Sequence, residues 1–322
     1  MAAVYYLSLF VIGLVILIYS SDSLIQSSVK LSSLLRLTPL FIGLVIIAFG
    51  TSAPEAGVGI VAAIKDQKDI ALGNVIGSNI ANIGLILGLC VLFRPLIVER
   101  SVLKTEVPLM VGASLLVYIL SLDLKIDRID GIILLLAFII FFLLSYRGAK
   151  RYFDSRELSD FKFKRLFQKV NSRTLAFLLS LIFLLGVVMG ANLMIKGGVG
   201  LARIFHISPW VIAITIFAIG TSLPELAASL TAVVKKVDSI SIGNIVGSNI
   251  FNILFVLGIV AVIRPLELDS HALRFEFPYL VGISVLVALF MKTRFKVSRV
   301  EGLILVLSYI IFVLILITGG RR

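Results

Sequence analysis

The sequence predicts an all-α polytopic membrane protein with about ten transmembrane helices, arranged as two inverted-topology five-helix repeats. Three observations carry this reading. Apolar residues make up 59% of the 322-residue chain and the mean hydropathy is +1.11, whereas soluble domains run nearer 45–50% apolar. Runs of about 20 apolar residues, the length a bilayer requires, recur along the chain. A set of motifs also occurs twice, always 170 positions apart.

The expected spans are 3–20, 40–64, 70–93, 107–121, 130–146, 174–195, 209–234, 240–263, 277–291 and 301–318, the fourth and ninth being short. Strands of about ten residues with alternating polarity, the mark of a membrane β-barrel, are absent from the sequence. The first basic residue, Lys30, follows the first apolar stretch. A secretory signal carries its charge ahead of that stretch, so the N-terminus reads as a true span. The one long polar segment, 147–173, divides the halves and is too short for a folded regulatory domain. Its phenylalanines interleave with lysines, which suggests that part of it lies on the membrane surface. The single cysteine, Cys90, excludes an internal disulfide and suggests no thiolate metal site. The net charge of +12 reads as basic cytoplasmic loops rather than nucleic-acid binding.

The halves are 1–146 and 174–322, joined by the linker 147–173. Pro39 corresponds to Pro209, Gly50 to Gly220, Glu55 to Glu225, and Glu106 with Pro108 to Glu276 with Pro278. LGNVIGSNIANI at 72–83 corresponds to IGNIVGSNIFNI at 242–253, and Arg94-Pro95-Leu96 to Arg264-Pro265-Leu266. Five spans per half is odd, so the second half enters the membrane upside down. This is the plan of secondary transporters with a midplane site. With 147–173 cytoplasmic and both termini outside, the inner side carries 20 Lys and Arg and the outer side 10, which fixes the expected orientation.

GTSAPE at 50–55 and GTSLPE at 220–225 each bury a glutamate in an apolar run. An isolated carboxylate at bilayer depth costs at least a few kcal/mol, and the spans offer no Lys or Arg to pair with it. Two such carboxylates brought together would repel, and one would take a proton; a divalent cation removes both problems. Thr51 and Ser52 precede Glu55 by four and three positions, placing all three on one helix face; Thr221, Ser222 and Glu225 repeat this. Pro54 and Pro224 deprive the carbonyls of Gly50 and Gly220 of their usual amide partner and kink the helix. Ser78 with Asn82, and Ser248 with Asn252, share a face of the following span. The donor set is carboxylate, hydroxyl, amide and carbonyl oxygen, which suits Ca²⁺ and also Na⁺.

GTSAPE with GNVIGSNIAN, and GTSLPE with GNIVGSNIFN, resemble the two α-repeats of the calcium/cation antiporter superfamily, in its prokaryotic sodium/calcium exchanger branch. The resemblance covers nearly the whole chain, with motifs at 50–82 and 220–252. It implies a metal site formed by Thr51, Ser52, Glu55, Ser78, Asn82, Thr221, Ser222, Glu225, Ser248 and Asn252, with backbone carbonyls near Ala48 and Ala218. It also implies alternating access, the first and sixth helices sliding past the bundle that holds the ions, and exchange of three Na⁺ per Ca²⁺. Potassium-dependent members of the superfamily, and some archaeal relatives, carry Asp where this chain has Asn252.

Other residues have plainer readings. The glycines Gly50, Gly73 and Gly77 read as close helix packing, and Ser52 and Ser78 have packing as their alternative role. Asn74, Asn244, Asn79 and Asn249 read as interhelical hydrogen-bonding residues. His206, His271, Trp210 and Tyr279 read as interfacial, and KDQKD at 65–69 as a solvated turn. The expectation is therefore a Ca²⁺/Na⁺ antiporter in a prokaryotic plasma or inner membrane. It is expected to work as a monomer, with Ca²⁺, Na⁺ and the bilayer as partners and with no cofactor, nucleic acid or enzymatic activity. A Ca²⁺/H⁺ antiporter on the same fold is the alternative. An intramembrane protease would need an aspartate pair or H-E-x-x-H, and a passive channel would need a charged ring; the spans hold neither.

Overall fold

The computed structural model describes residues 2–151, 153, 161–204 and 220–319. Among these, eight helices are long and apolar enough to cross a bilayer, and a broken pair, Pro39–Thr51 with Ala53–Ile64, makes a ninth. A shorter apolar helix, Leu223–Val234, is the described part of the expected span 209–234. Pro209, Trp210, His206 and Ala218 lie outside the described residues. The chain forms two compact units, each drawing on both sequence halves: Met1–Pro54 with Ala149–Asn244, and Glu55–Gly148 with Ile245–Arg322. The sequence repeats and the packing units are therefore different divisions of the chain.

In the first unit, helix α1 (Ala2–Leu35) packs along α8 (Arg173–Ile204), its counterpart in the other repeat. Their backbones approach so closely that a Cβ on Gly190 would stand 2.6 Å from the Leu17 amide nitrogen. Helix α1 continues some 15 residues past the expected end at position 20. The polar run there consists mainly of serines, and Ser20, Ser21, Ser23, Ser27, Ser28 and Ser32 are all buried. Short hydroxyls bond to nearby backbone carbonyls, as Ser27 does to Leu24 and Ser32 to Leu37, so hydropathy falls without ending the helix.

The linker covers this part of α1. Lys164 pairs with Asp22 at 2.7 Å, and Lys235 reaches the same carboxylate at 2.6 Å. The Lys164 amide donates to Gln26 Oε1, and Arg173 Nε donates to the Leu34 carbonyl. Phe167, on the short helix α7 (Arg165–Gln168), is buried, and Phe161 and Phe163 pack against a core that includes Leu24, Ile25 and Val187. These phenylalanines, which hydropathy cannot assign to a partner, pack on protein.

The rest of the first unit positions the motifs. Helix α2 (Pro39–Thr51) begins at Thr38, whose side chain accepts from the Phe41 amide, and contains a π-type turn at Gly43–Ile47. It crosses the start of α10 (Asp238–Ile263), where a Cβ on Gly243 would stand 2.5 Å from the Leu40 carbonyl oxygen. Helix α9 (Leu223–Val234) packs on α1.

The second unit holds most of α3 (Ala53–Ile64), then α4 (Lys68–Phe93), α5 (Arg100–Leu120) and α6 (Arg128–Arg151). From the other half come the rest of α10, α11 (Ala272–Lys292) and α12 (Arg299–Gly319). Two-stranded antiparallel ribbons join the repeats: β1 (Leu96–Ile97) pairs β4 (Lys296–Val297), and β2 (Lys125–Ile126) pairs β3 (Leu266–Glu267). Counterpart helices α5 and α11 pack together, and the equivalent hydroxyls of Ser114 and Ser284 meet at 3.1 Å. Residues related by the repeat can touch only where they straddle its pseudo-two-fold axis. The backbone repeats too, with left-handed residues at Leu124 and Arg294 (φ 63° and 59°) and at Asp66 and Lys236 (58° and 62°).

Three of the surface residues have specific neighbours. Asp66 is not merely solvated: Arg264 holds it with two hydrogen bonds, at 3.0 and 2.9 Å, and this guanidinium keeps the carboxyl below its usual range. Tyr279, half-buried, bonds to Ser308 at 2.6 Å and stacks on Phe312. His271 lies beside the Phe275 ring at the start of α11.

Candidate functional site

Each unit carries half of the predicted ligand set. In the first, α2 ends at Ser52, whose φ and ψ of −85° and 4° leave the helical region. Ser222 repeats the break at −90° and 5° before α9. Pro54 and Pro224 sit just beyond these breaks, where a missing amide is tolerated. The expected continuous face for Thr51, Ser52 and Glu55 is corrected: the helix breaks between them, and Glu55 opens the next segment.

Glu225 is about 1% exposed. Ser52 Oγ donates to its Oε1 at 3.0 Å, joining the two repeats' motifs directly, while Oε2 has no hydrogen-bond partner among the described residues. Thr51, Ser52 and Ser222 are buried and Thr221 is half-buried. The Ser222 hydroxyl likewise lacks a partner among the described residues. The Ala48 carbonyl accepts the Ser52 amide at 3.0 Å and the Thr51 hydroxyl at 3.3 Å.

In the second unit, Glu55 is also about 1% exposed, and Asn74 Nδ2 donates to its backbone carbonyl at 2.9 Å. Ser78 and Asn82 lie on α4, Ser248 and Asn252 on α10, all buried. Both helices widen into π-type turns at the motif's last asparagine, over Asn82–Leu87 and Phe251–Val256. Such turns concentrate at functional sites because they release backbone groups and re-aim side chains. Neither amide atom of Asn82 or of Asn252 has a hydrogen-bond partner among the described residues, nor has Ser248 Oγ. Buried polar atoms are normally paired, so these atoms retain unused hydrogen-bonding or coordinating capacity.

The structure separates the asparagines by role. Asn74 and Asn244 make the expected bonds between helices. Among the described residues Asn79 and Asn249 do not: each donates to the carbonyl four residues back, Val75 at 2.7 Å and Ile245 at 2.8 Å, the backbone bond that a short side chain reaches most easily. Gly50 packs as expected, since a Cβ there would overlap Leu184; Gly73 and Gly77 have no neighbour within 4 Å of such an atom among the described residues. Sequence reasoning gave Ser229 no role, yet its hydroxyl accepts from Asn244 Nδ2 at 2.9 Å. The signal was available in the repeat, because position 229 is Ser where its counterpart, position 59, is Gly.

The sequence pattern of the sodium/calcium exchanger protein family matches residues 5–147 and 175–318, which together take in both units and both motifs. The chain belongs to the sodium/calcium exchanger family. It is 34% identical over 313 residues to inner membrane protein YrbG of Escherichia coli K12, covering 96% of each chain. It is 30% identical over 337 residues to sodium/calcium exchanger MaX1 of Methanosarcina acetivorans, covering 95% of this chain and 96% of that one. Among solved structures it resembles the sodium-calcium exchanger NCX_Mj soaked with Na⁺ and Sr²⁺, with a TM-score of 0.84, 30% identity, and coverage of 99% of this chain and 100% of that one. The protein is an integral membrane cation antiporter, not an enzyme.

Proposed function

We propose that this family member exchanges Ca²⁺ for Na⁺ by alternating access. The proposed ligands are Glu55 and Glu225 with the oxygens of Thr51, Ser52, Ser78, Asn82, Thr221, Ser222, Ser248 and Asn252, and the Ala48 carbonyl. The observation that carries this reading is the mirrored pair of buried glutamate motifs accompanied by buried oxygens on Glu225, Ser248 and Asn252 that have no hydrogen-bond partner among the described residues. A buried carboxylate with surplus oxygen lone pairs suits a hard cation. Sodium as the counter-ion is favoured by the family and by relatives named as sodium/calcium exchangers. The positive-inside count supports a cytoplasmic linker and extracytoplasmic termini. The ions are cargo, no separate cofactor is required, and one chain carries every proposed ligand, so the proposed working form is the monomer.

The test is calcium-45 uptake into proteoliposomes under separately imposed Na⁺, K⁺ and proton gradients. Uptake driven by an outward Na⁺ gradient with pH clamped is expected. Uptake that follows only the proton gradient would replace this reading with Ca²⁺/H⁺ exchange.

A further inference from the structure

The first unit contains a proton-sharing arrangement around Thr51. The Thr51 hydroxyl lies 3.3 Å from the Ala48 carbonyl oxygen and 3.3 Å from Asn244 Oδ1. A hydroxyl has one proton to donate. The Ala48 carbonyl is a proposed cation ligand, and a proton directed at it occupies a lone pair that the cation needs. Asn244 is the other acceptor and stands outside the proposed ligand set.

The orientation of Asn244 is fixed by chemistry. Its amide lies 3.2 Å from the Glu225 backbone carbonyl, which can only accept, so the nitrogen must face that side. The same nitrogen donates to Ser229 Oγ at 2.9 Å. Both donor positions of Nδ2 are therefore used, and Oδ1 is left facing Thr51. Asn244 and Thr51 are both fully buried, so water does not compete for this bond. The counterpart Asn74 has Gly59 where Asn244 has Ser229, and no side chain at that position can hold its nitrogen.

We propose that Asn244 is a positioning residue which accepts the Thr51 proton in the cation-bound state. The Thr51 lone pairs and the Ala48 carbonyl are thereby left to the cation. Ser229 and the Glu225 carbonyl keep Oδ1 turned toward Thr51. The idea rests on the ligand set proposed above and assigns Asn244 a task within it.

The test is a double-mutant cycle read as KM for Ca²⁺ and maximal flux in Na⁺-loaded proteoliposomes. Asn244→Ala should raise KM about tenfold while changing maximal flux less. Thr51→Val, which keeps the shape and removes the hydroxyl, should also raise KM. The double variant should then be no worse than Thr51→Val alone, because without the hydroxyl Asn244 has no proton to accept. KM effects that multiply, or a fall in flux with unchanged KM, would show Asn244 to be merely a brace for the helix break and overturn the proposal. If Asn244→Ala does not fold, Ser229→Ala replaces it in the same cycle, with an expected KM rise of about threefold that vanishes in the Thr51→Val background. Glu225→Gln run in parallel separates the two levels. If it transports normally, the ligand reading itself fails and the Asn244 proposal with it; if it loses transport while the cycle multiplies, only the Asn244 proposal fails.

Discussion

Among the described residues Glu225 accepts one hydrogen bond, from Ser52, in a place where a carboxylate cannot be left uncompensated. Replacing Glu225 or Glu55 with Gln keeps the volume and deletes one charge. Leaving a buried charge without its partner costs roughly 3–5 kcal/mol, which corresponds to a loss of about 100-fold or more. Each single variant should therefore lose Ca²⁺ transport on that scale in calcium-45 flux, and two variants near wild type would end the shared-ligand reading. A pH dependence follows from the same two residues. Ligation requires both carboxylates to be ionised, so protons compete with Ca²⁺. The apparent affinity should be highest at neutral to alkaline pH and weaken as pH falls toward the carboxylate range. A KM constant across that range would mean that the carboxylates are not ligands. The glutamates and the Thr-Ser pairs were legible from sequence because a charge in an apolar run is conspicuous. Ser229 was not: its one trace in the sequence, Ser where position 59 has Gly, acquires a meaning only once the asparagine it orients is placed beside it.

At the scale of elements, hydropathy located the spans but not their ends. The serine run of α1 reads as a loop and is a buried helix, in which the Ser27 and Ser32 hydroxyls bond to backbone carbonyls. The π-type turns at Asn82 and Asn252 were invisible, since no composition marks a turn that widens by one residue. The proline-marked breaks were legible, although not the exit of Ser52 and Ser222 from helical geometry. The pairing of α1 with α8 yields a stability prediction. At Gly190 an added side chain meets the α1 backbone at Leu17 and Gly13, which cannot rotate away as a side chain can. Gly190→Leu should therefore cost more than the roughly 1–3 kcal/mol typical of overpacking. It should appear as a lowered thermal midpoint or lost folded yield in detergent. Gly148, with no neighbour within 4 Å of an added Cβ among the described residues, should accept Ala without such a loss.

At the scale of the whole molecule, the repeat was legible because a constant offset of 170 positions over many motifs requires no structure. The packing units were not, because each takes about half of both repeats and contacts between distant segments leave no periodic trace. The repeat also sets the charge of the proposed ligand set. Its two glutamates are formally negative, while Asn82 and Asn252, at equivalent positions, are neutral. One Ca²⁺ neutralises the pair, whereas three Na⁺ would leave a net charge of +1, so exchange at that ratio moves charge across the membrane. A co-transported K⁺ would add a further positive charge with no carboxylate to offset it. The expected behaviour is thus K⁺-independent, electrogenic exchange, and its rate in Na⁺-loaded proteoliposomes should respond to an imposed membrane potential and not to added K⁺. Asn252→Asp places a third negative charge among the ligands without changing their shape, and should shift the ion dependence toward a state carrying one more positive charge. Wild-type exchange that requires K⁺ on the calcium side, or that ignores membrane potential, would remove Asn252 as the determinant of this charge balance.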